Sequence, residues 1–268
     1  MKKIKVVVTG AAGRMGQTII KRVLSDRGLK LIGALEISGH KNLGKDVGKL
    51  LKTKNIGIKI SDNIIDLFAN TDAVIDFTLP DATVDHAKYA AQARIVHVIG
   101  TTGLSNNQLK KIEYASKHAT IIKSGNMSLG VNLLETLVKQ AASKLDTSFN
   151  IQINEEHHKH KIDAPSGTAL MLGNAAAKGR NVKLDKVKKI SLLNTKGREA
   201  KNKIVFSSFR KGETVGNHEV IFSSADETIN LQHKANDRGI FASGAIYAVK
   251  WGQGKKPGLF SMVDVLGL

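Results

Sequence analysis

The chain has no cysteine among its 268 residues, which removes disulfides, thiolate catalysis and Cys-ligated zinc or iron–sulfur centres together. A reducing, cytoplasmic setting is the expectation. Aromatic residues make up only 4%, leaving few stacking platforms for single-stranded nucleic acid. No apolar run approaches the roughly 20 residues needed to span a bilayer. The start, MKKIKVVVT, breaks at Thr9 and Gly10 after three valines, too short for the core of a secretion signal. Acidic residues are scarce as well: 23 Asp and Glu against 41 Lys and Arg give a formal net charge of +18. The lysines are spread rather than massed, and groups such as residues 186–189 and 255–256 stay short. Nucleic acid and membrane are therefore set aside as partners, and the field is assigned to an anionic small molecule or cofactor.

With 41% hydrophobic residues, the chain can bury a substantial core as one large domain or two smaller ones. Its first half alternates strand and helix patterns. An apolar, β-branched run over residues 2–9 ends at GAAGRMG, residues 10–16, followed by a helical pattern. A second apolar run stops at Glu36, twenty residues after Gly16. This is the layout of a dinucleotide turn: glycines admit a pyrophosphate to the helix N-terminus, and the acid accepts from ribose hydroxyls. The spacing is G-x-x-G-x-x-G, with Ala11 where the usual motif has its glycine. After Glu36 comes Ile37, and no basic residue appears until Lys41. A 2′-phosphate finds little there, so NADH should serve at least as well as NADPH.

Strands are expected over residues 73–77, 95–99 and 120–122, and helices over 80–93 and 105–118. The turns after two of these strands, Gly100 to Gly103 and Ser124 to Met127, are candidates for the nicotinamide half, with ordinary strand-to-helix turns as the plain alternative. Residues 129–145 form an amphipathic helix whose Leu129, Leu133, Leu134, Leu137, Val138, Ala141 and Leu145 are expected in the core. Strand patterns follow at 150–154, 188–194, 204–209, 218–223 and 228–233, with few helices between them. A second domain with a mostly antiparallel sheet is the expectation. The pattern over 238–251 is helical again.

Chemistry is densest over residues 154–168, NEEHHKHKIDAPSGT, which hold three of the nine histidines. Ser166, Gly167 and Thr168 open a helix and offer hydroxyls and backbone N–H groups to a carboxylate, or Asp163 or Ser166 simply caps that helix. His157 or His158 can carry a proton near neutrality, and Lys161 can stabilise charge or donate. Metal binding by these histidines with Glu155 and Glu156 is a minor alternative, because His157 and His158 on a strand point to opposite faces. No metal is expected.

The segment EEHHKHKIDAPSGTA, residues 155–169, resembles the signature of the 4-hydroxy-tetrahydrodipicolinate reductase (dihydrodipicolinate reductase) family of diaminopimelate and lysine biosynthesis. GAAGRMG at 10–16, DFT at 76–78, VIGTTG at 98–103, the turn 124–127 and GLFSMVDVL at 258–266 resemble it too, in order along the chain. The resemblance implies an α/β protein with a Rossmann-type parallel-sheet domain, residues 1–128 with 239–268. It also implies an α+β substrate and tetramerisation domain, residues 129–238, with a mixed, largely antiparallel sheet. Such enzymes reduce a cyclic unsaturated imine dicarboxylate with NADH or NADPH as homotetramers. Hydride reaches ring C4 after the 4-hydroxyl leaves as water, and a proton reaches the neighbouring carbon. By matching position, His157 and Lys161 are implied catalytic donors, and His158, Ser166, Gly167 and Thr168 hold substrate carboxylates. Gly10, Ala11, Ala12, Gly13, Arg14, Met15, Glu36, Gly100, Thr101, Thr102, Ser124, Gly125, Asn126 and Met127 contact the dinucleotide. The competing readings are another two-domain NAD(P)-dependent dehydrogenase of an amino or keto acid, and a basic cofactor-sensing or nucleic-acid-binding protein without turnover.

Overall fold

A computed structural model describes residues 2–191 and 202–268. The chain runs β1 (Ile4–Thr9), α1 (Arg14–Ser25), β2 (Leu29–Leu35), α2 (Val47–Leu50), β3 (Ile60–Ser61), α3 (Ile64–Ala69), β4 (Ala73–Asp76), α4 (Pro80–Ala93), β5 (Val96–Ile99), α5 (Asn106–Ala115) and β6 (Thr120–Lys123). It continues through α6 (Leu129–Lys144), β7 (Asn150–His157), α7 (Gly167–Gly179), α8 (Leu184–Val187), β8 (Lys188–Ile190), β9 (Ile204–Arg210), β10 (Gly216–Ser223) and β11 (Thr228–Ala235). It closes with α9 (Gly239–Gly252), β12 (Gly258–Phe260) and α10 (Met262–Leu266). The elements fall into two compact units, Met1–Ser128 with Gly239–Gly267, and Leu129–Arg238 with Leu268. Leu268, expected with the C-terminal segment, thus groups with the second unit; it lies one residue past the left-handed Gly267 that ends α10.

In the first unit seven parallel strands are ordered β12-β6-β5-β4-β1-β2-β3. Val6, Val7 and Val8 are all fully buried, as are Val74 and Ile75 on β4, because helices cover both faces of a parallel sheet. That is why these strands read as continuous apolar runs rather than alternating ones. Helix α1 begins at Arg14, so the end of the glycine turn is already its first turn. The order reverses direction between β1 and β4, and the loops after β1, β2, β4, β5 and β6 share the carboxyl edge. Ligands of such sheets bind at that edge.

The second unit carries a five-stranded sheet, β11-β10-β7-β9-β8. The sheet is mixed: β10 pairs antiparallel with β11 and β7 along the longer registers, whereas β7–β9 and β8–β9 are parallel. Helices α7 and α8 form the crossover from β7 to β8, which lets the two strands run in the same direction. Of residues 188–194, only the strand Lys188–Ile190 and Ser191 can be compared, since 192–194 lie outside the described residues. The core joins Leu134, Val138 and Ala142 of α6 to α7 and to Ile151, Ile153, Phe206, Val220 and Phe222 of the sheet. Leu133 and Leu137, expected in that core, are 44% and 40% exposed. Only the stripe containing Val131, Leu134 and Val138 faces inward, and Leu133 and Leu137 stand about 100° off it.

Candidate active site

In the first unit the glycine turn and Glu36 form one structure. Gly10 adopts φ +59°, the left-handed region that a side chain disfavours. A Cβ on Gly16 would collide with the Gly10 carbonyl oxygen, so the turn into α1 requires glycine there. Ala12 N–H donates to Glu36 Oε2 at 2.9 Å, and Ile37 N–H donates to Oε1 at 3.1 Å. The acid at the end of β2 is thereby held against the turn. Gly10, Gly13, Glu36, Ile37, Thr78 and His86 are among the residues lining a groove of about 700 Å³, within the range of small-molecule sites.

The remaining expected cofactor residues divide by burial. Arg14, Thr102 and Gly125 are exposed, and Ala12, Met15, Gly100 and Ser124 half-buried. Ala11, Thr101, Asn126 and Met127 are buried, so their side chains build the loops from within. Ser124 Oγ donates to the Asn126 carbonyl at 2.7 Å and Asn126 Oδ1 accepts from Ser128 N–H at 2.9 Å, closing the turn after β6 on itself.

In the second unit, period two decides what faces inward. Along β7 the buried residues are Ile151, Ile153, Glu155 and His157, and along β10 they are Phe222, Val220, His218 and Gly216. The face that is core at one end becomes polar at the other. Register sets Ser208 of β9 beside Glu155 and Arg210 beside His157. Glu155, 2% exposed, is the hub. Its Oε1 accepts from Ser166 N–H at 3.0 Å and lies 3.7 Å from the Arg210 guanidinium, while Oε2 lies 3.3 Å from His157 Nδ1 and 3.9 Å from His218 Nε2. Burial by itself raises a carboxyl pKa, but hydrogen bonding by His157, Ser166 and Ser208 brings Glu155 down to about 2. Burial and the neighbouring His157 push His218 down to about 4, so it is a neutral imidazole at neutral pH.

His157 is 7% exposed and meets the His218 ring edge-on, centroids 5.0 Å apart. With Nδ1 turned to Glu155, its Nε2 is the outer nitrogen. A Cβ on Gly216 would stand 3.1 Å from that Nε2, so glycine keeps the nitrogen clear. Ser166 caps α7 through Ala169 N–H at 3.2 Å, and its Oγ lies 3.2 Å from His218 Nε2. Beyond it Gly167 is exposed, with open space where a side chain would be, and Thr168 is half-buried. Lys161 Nζ pairs with Asp163 at 2.8 Å. Arg210 donates to the carbonyls of Lys161 and Asp163 at 3.1 and 2.7 Å, tying that loop to the Glu155 hub. His158, one residue past the strand, instead contacts the Arg238 guanidinium through Nε2 at 3.2 Å. Desolvation and that guanidinium lower its pKa.

The structure thus brings His157 and Ser166 to Glu155, ties the backbone of Lys161 to that hub through Arg210, and sets His158 with Arg238. Sequence reasoning missed Arg210, Gly216, His218 and Arg238, and gave Glu155 only a ligand's role. Period-two patterning marks His218 as inward with Val220 and Phe222, but its meeting with Glu155 depends on pairing across 63 residues. Donor atoms of Glu155, His157 and His218 lie within 4.8 Å of one another, a set of types that can ligate a transition metal. Here Ser166 N–H and Arg210 already oppose the carboxylate charge at Oε1.

A parallel-sheet nucleotide groove on one unit and a buried carboxylate–imidazole centre under a helix N-terminus on the other define a two-unit NAD(P)H-dependent oxidoreductase. More specifically, the chain belongs to the dihydrodipicolinate reductase family: the model of the family's N-terminus matches residues 4–127 and that of its C-terminus residues 130–266. It is 54% identical to a 4-hydroxy-tetrahydrodipicolinate reductase of Chelativorans sp. (strain BNC1), covering 100% of this chain and 97% of the relative. A protein of the same name from Ruegeria pomeroyi is 50% identical, with 98% of each covered. A solved dipicolinate-bound dihydrodipicolinate reductase from Paenisporosarcina sp. TG-14 matches with TM-score 0.78 at 23% identity over 98% of each chain. An amine dehydrogenase from Mycobacterium smegmatis matches at TM-score 0.66 and 12% identity over 97% of this chain and 95% of that one, and shows the shared fold.

Proposed function

We infer that this protein reduces 4-hydroxy-tetrahydrodipicolinate, through its dehydrated unsaturated imine, to tetrahydrodipicolinate in diaminopimelate and lysine biosynthesis. Family membership supports the reaction. One geometric observation carries the chemistry: His157 is backed by the ionised Glu155 at Nδ1, and Gly216 leaves its Nε2 clear. A carboxylate at Nδ1 orients the ring and leaves Nε2 as the nitrogen that can pass a proton outward.

Residues 1–128 with 239–268 bind the dinucleotide in this reading, and residues 129–238 bind substrate and form the tetramer. The turn fits the cofactor, since Gly10, Gly13 and Gly16 leave its backbone bare and Glu36 stands at ribose-binding distance along the sequence. When bound, the nicotinamide supplies the hydride. His157 gives the proton and Lys161 is the second cationic donor. Ser166, Gly167 and Thr168, at the positive end of α7, hold one carboxylate of the substrate; His158 holds the other, with Arg238 beside it. NADH is used at least as well as NADPH, because the groove lining includes Glu36, Asp62 and Asp85 and, among the described residues, neither lysine nor arginine. A 2′-phosphate would meet acids there.

Exposed Leu133, Leu137 and Phe209 on the second unit favour the homotetramer. No helix among the described residues is long and apolar enough to cross a membrane, and a cytoplasmic location suits the cysteine-free composition. The decisive experiment compares initial rates with NADH and NADPH on substrate generated in situ from pyruvate and aspartate semialdehyde. Oxidation of both, NADH no slower, is expected. An absence of oxidation with either would overturn the reaction, and a strong NADPH advantage would overturn the cofactor assignment.

A further inference from the structure

Asp76 ends β4 with no exposed surface, yet both of its carboxylate oxygens are fully engaged. Oδ1 accepts from Thr78 N–H at 2.9 Å and from Thr78 Oγ1 at 2.6 Å. Oδ2 accepts from His86 Nδ1 at 2.8 Å and from His97 Nε2 at 3.2 Å. Burial opposes the charge, but hydrogen bonds from His86 and His97 hold the carboxyl far below the usual range. The contacts do not stop there: Thr78 Oγ1 lies 3.3 Å from Thr83 Oγ1, which lies 2.7 Å from Thr101 Oγ1.

An ionised carboxylate has no proton to give, and each hydroxyl has one. Thr78 must therefore spend its proton on Asp76. Its contact with Thr83 then needs the proton of Thr83, and the contact of Thr83 with Thr101 needs the proton of Thr101. A single buried charge fixes the direction of three hydroxyls in series. The same charge requires the Nδ1–H form of His86 and the Nε2–H form of His97.

This ordered chain runs between loops of the nucleotide edge. The Thr78 methyl packs over Gly10, where an added Cβ would be 2.9 Å away. Thr101 sits in the loop after β5, buried beside an exposed Thr102, and Gly100 N–H is fastened to the Asp76 carbonyl at 2.8 Å. We propose that Asp76, acting through Thr78, Thr83 and Thr101, is the positioning residue of the dinucleotide site, and that its Thr83–Thr101 arm sets the loop that holds the nicotinamide half. The proposal rests on the nucleotide-binding reading above. It divides the site in two, because the Asp76–Thr78 arm serves the Gly10 turn and the Thr83–Thr101 arm serves only residues 100–103.

The test is binding of NADH and of ADP-ribose, which lacks the nicotinamide, by fluorescence and calorimetry. Thr83→Val keeps the volume and removes the hydroxyl in the middle of the chain. It is expected to weaken NADH about tenfold, roughly 1.4 kcal/mol, while leaving ADP-ribose affinity and the melting temperature near wild type. Thr83→Ser is expected to restore NADH affinity. Asp76→Asn, which removes the charge, should weaken both ligands; Thr83→Val keeps the proposal testable if that variant does not fold. Wild-type NADH affinity in Thr83→Val, or equal loss of NADH and ADP-ribose, would overturn the proposal. Failure of the unaltered protein to bind NADH at all would overturn the nucleotide reading, and the proposal with it.

Discussion

Each unit buries a carboxylate between two imidazoles, and the two arrangements differ in completeness. Asp76 meets His86 and His97, and both oxygens accept well-formed hydrogen bonds from four donors. Glu155 meets His157 and His218 at longer range, its Oε2 standing 3.3 Å from His157 Nδ1 and 3.9 Å from His218 Nε2. Leaving buried polar atoms short of partners costs about 1–3 kcal/mol each. A structural cluster has every reason to close that deficit around its charge, as the Asp76 carboxylate does, although the outer His97 Nδ1 stays without a partner among the described residues. A cluster that must exchange a proton with something not yet bound has reason to keep it, so the incomplete site is the one assigned chemistry.

That contrast can be broken at the incomplete site first. His157→Ala should cost the most, a fall of about 10²- to 10⁴-fold in kcat with the fold retained, measured by steady-state NADH oxidation; activity within a factor of two of wild type would remove His157 from the mechanism. Glu155→Gln should cost less and report more. With an amide in place of the carboxylate, the partner that orients His157 through Nδ1 is lost, so kcat should fall while the KM for NADH stays near wild type; an unchanged kcat would leave Glu155 a purely structural role. Gly216→Ala should follow, lowering kcat by about tenfold through crowding at Nε2, with circular dichroism unchanged.

The smallest effect sharpens the comparison through stability. Glu155 has its pKa lowered on folding, so the stability it contributes is present above the ordinary carboxyl value of 4.5 and is lost as pH falls toward about 2. Asp76 is held lower still, and its contribution should outlast that of Glu155 as the solution is acidified. Denaturant unfolding followed across that acid range should therefore show a shallower pH dependence in Glu155→Gln than in the wild type. Identical slopes would show that Glu155 titrates alike in both states.

Much of the first unit was legible because its signals are local. The apolar run into Gly10, the helix after Gly13 and the acid at Glu36 lie within one supersecondary unit, and their meeting through Ala12 N–H needed no distant partner. The second unit was less legible. Leu133 and Leu137 have the right spacing for a helix and the wrong side of it, and α6 shows a chain no sign of which stripe its neighbours will cover. The parallel pairing of β7 with β9 was hidden for the same reason: strand patterns reveal period, whereas direction depends on how the connecting helix is laid down.

By itself, then, the sequence determined the alternation of elements, the glycine turn, and the order EEHHKHKIDAPSGTA that resembles the family's signature, since covalent neighbours stay neighbours in any fold. Only the tertiary structure decided which of those histidines is backed by a carboxylate. Strand period turned His157 inward, and pairing with β9 and β10 brought Arg210 and His218 to Glu155 from 55 and 63 residues away. Long-range pairing is paid for by burying the apolar end of the same sheet face, Ile151, Ile153, Val220 and Phe222, and the polar site is held in place by that core.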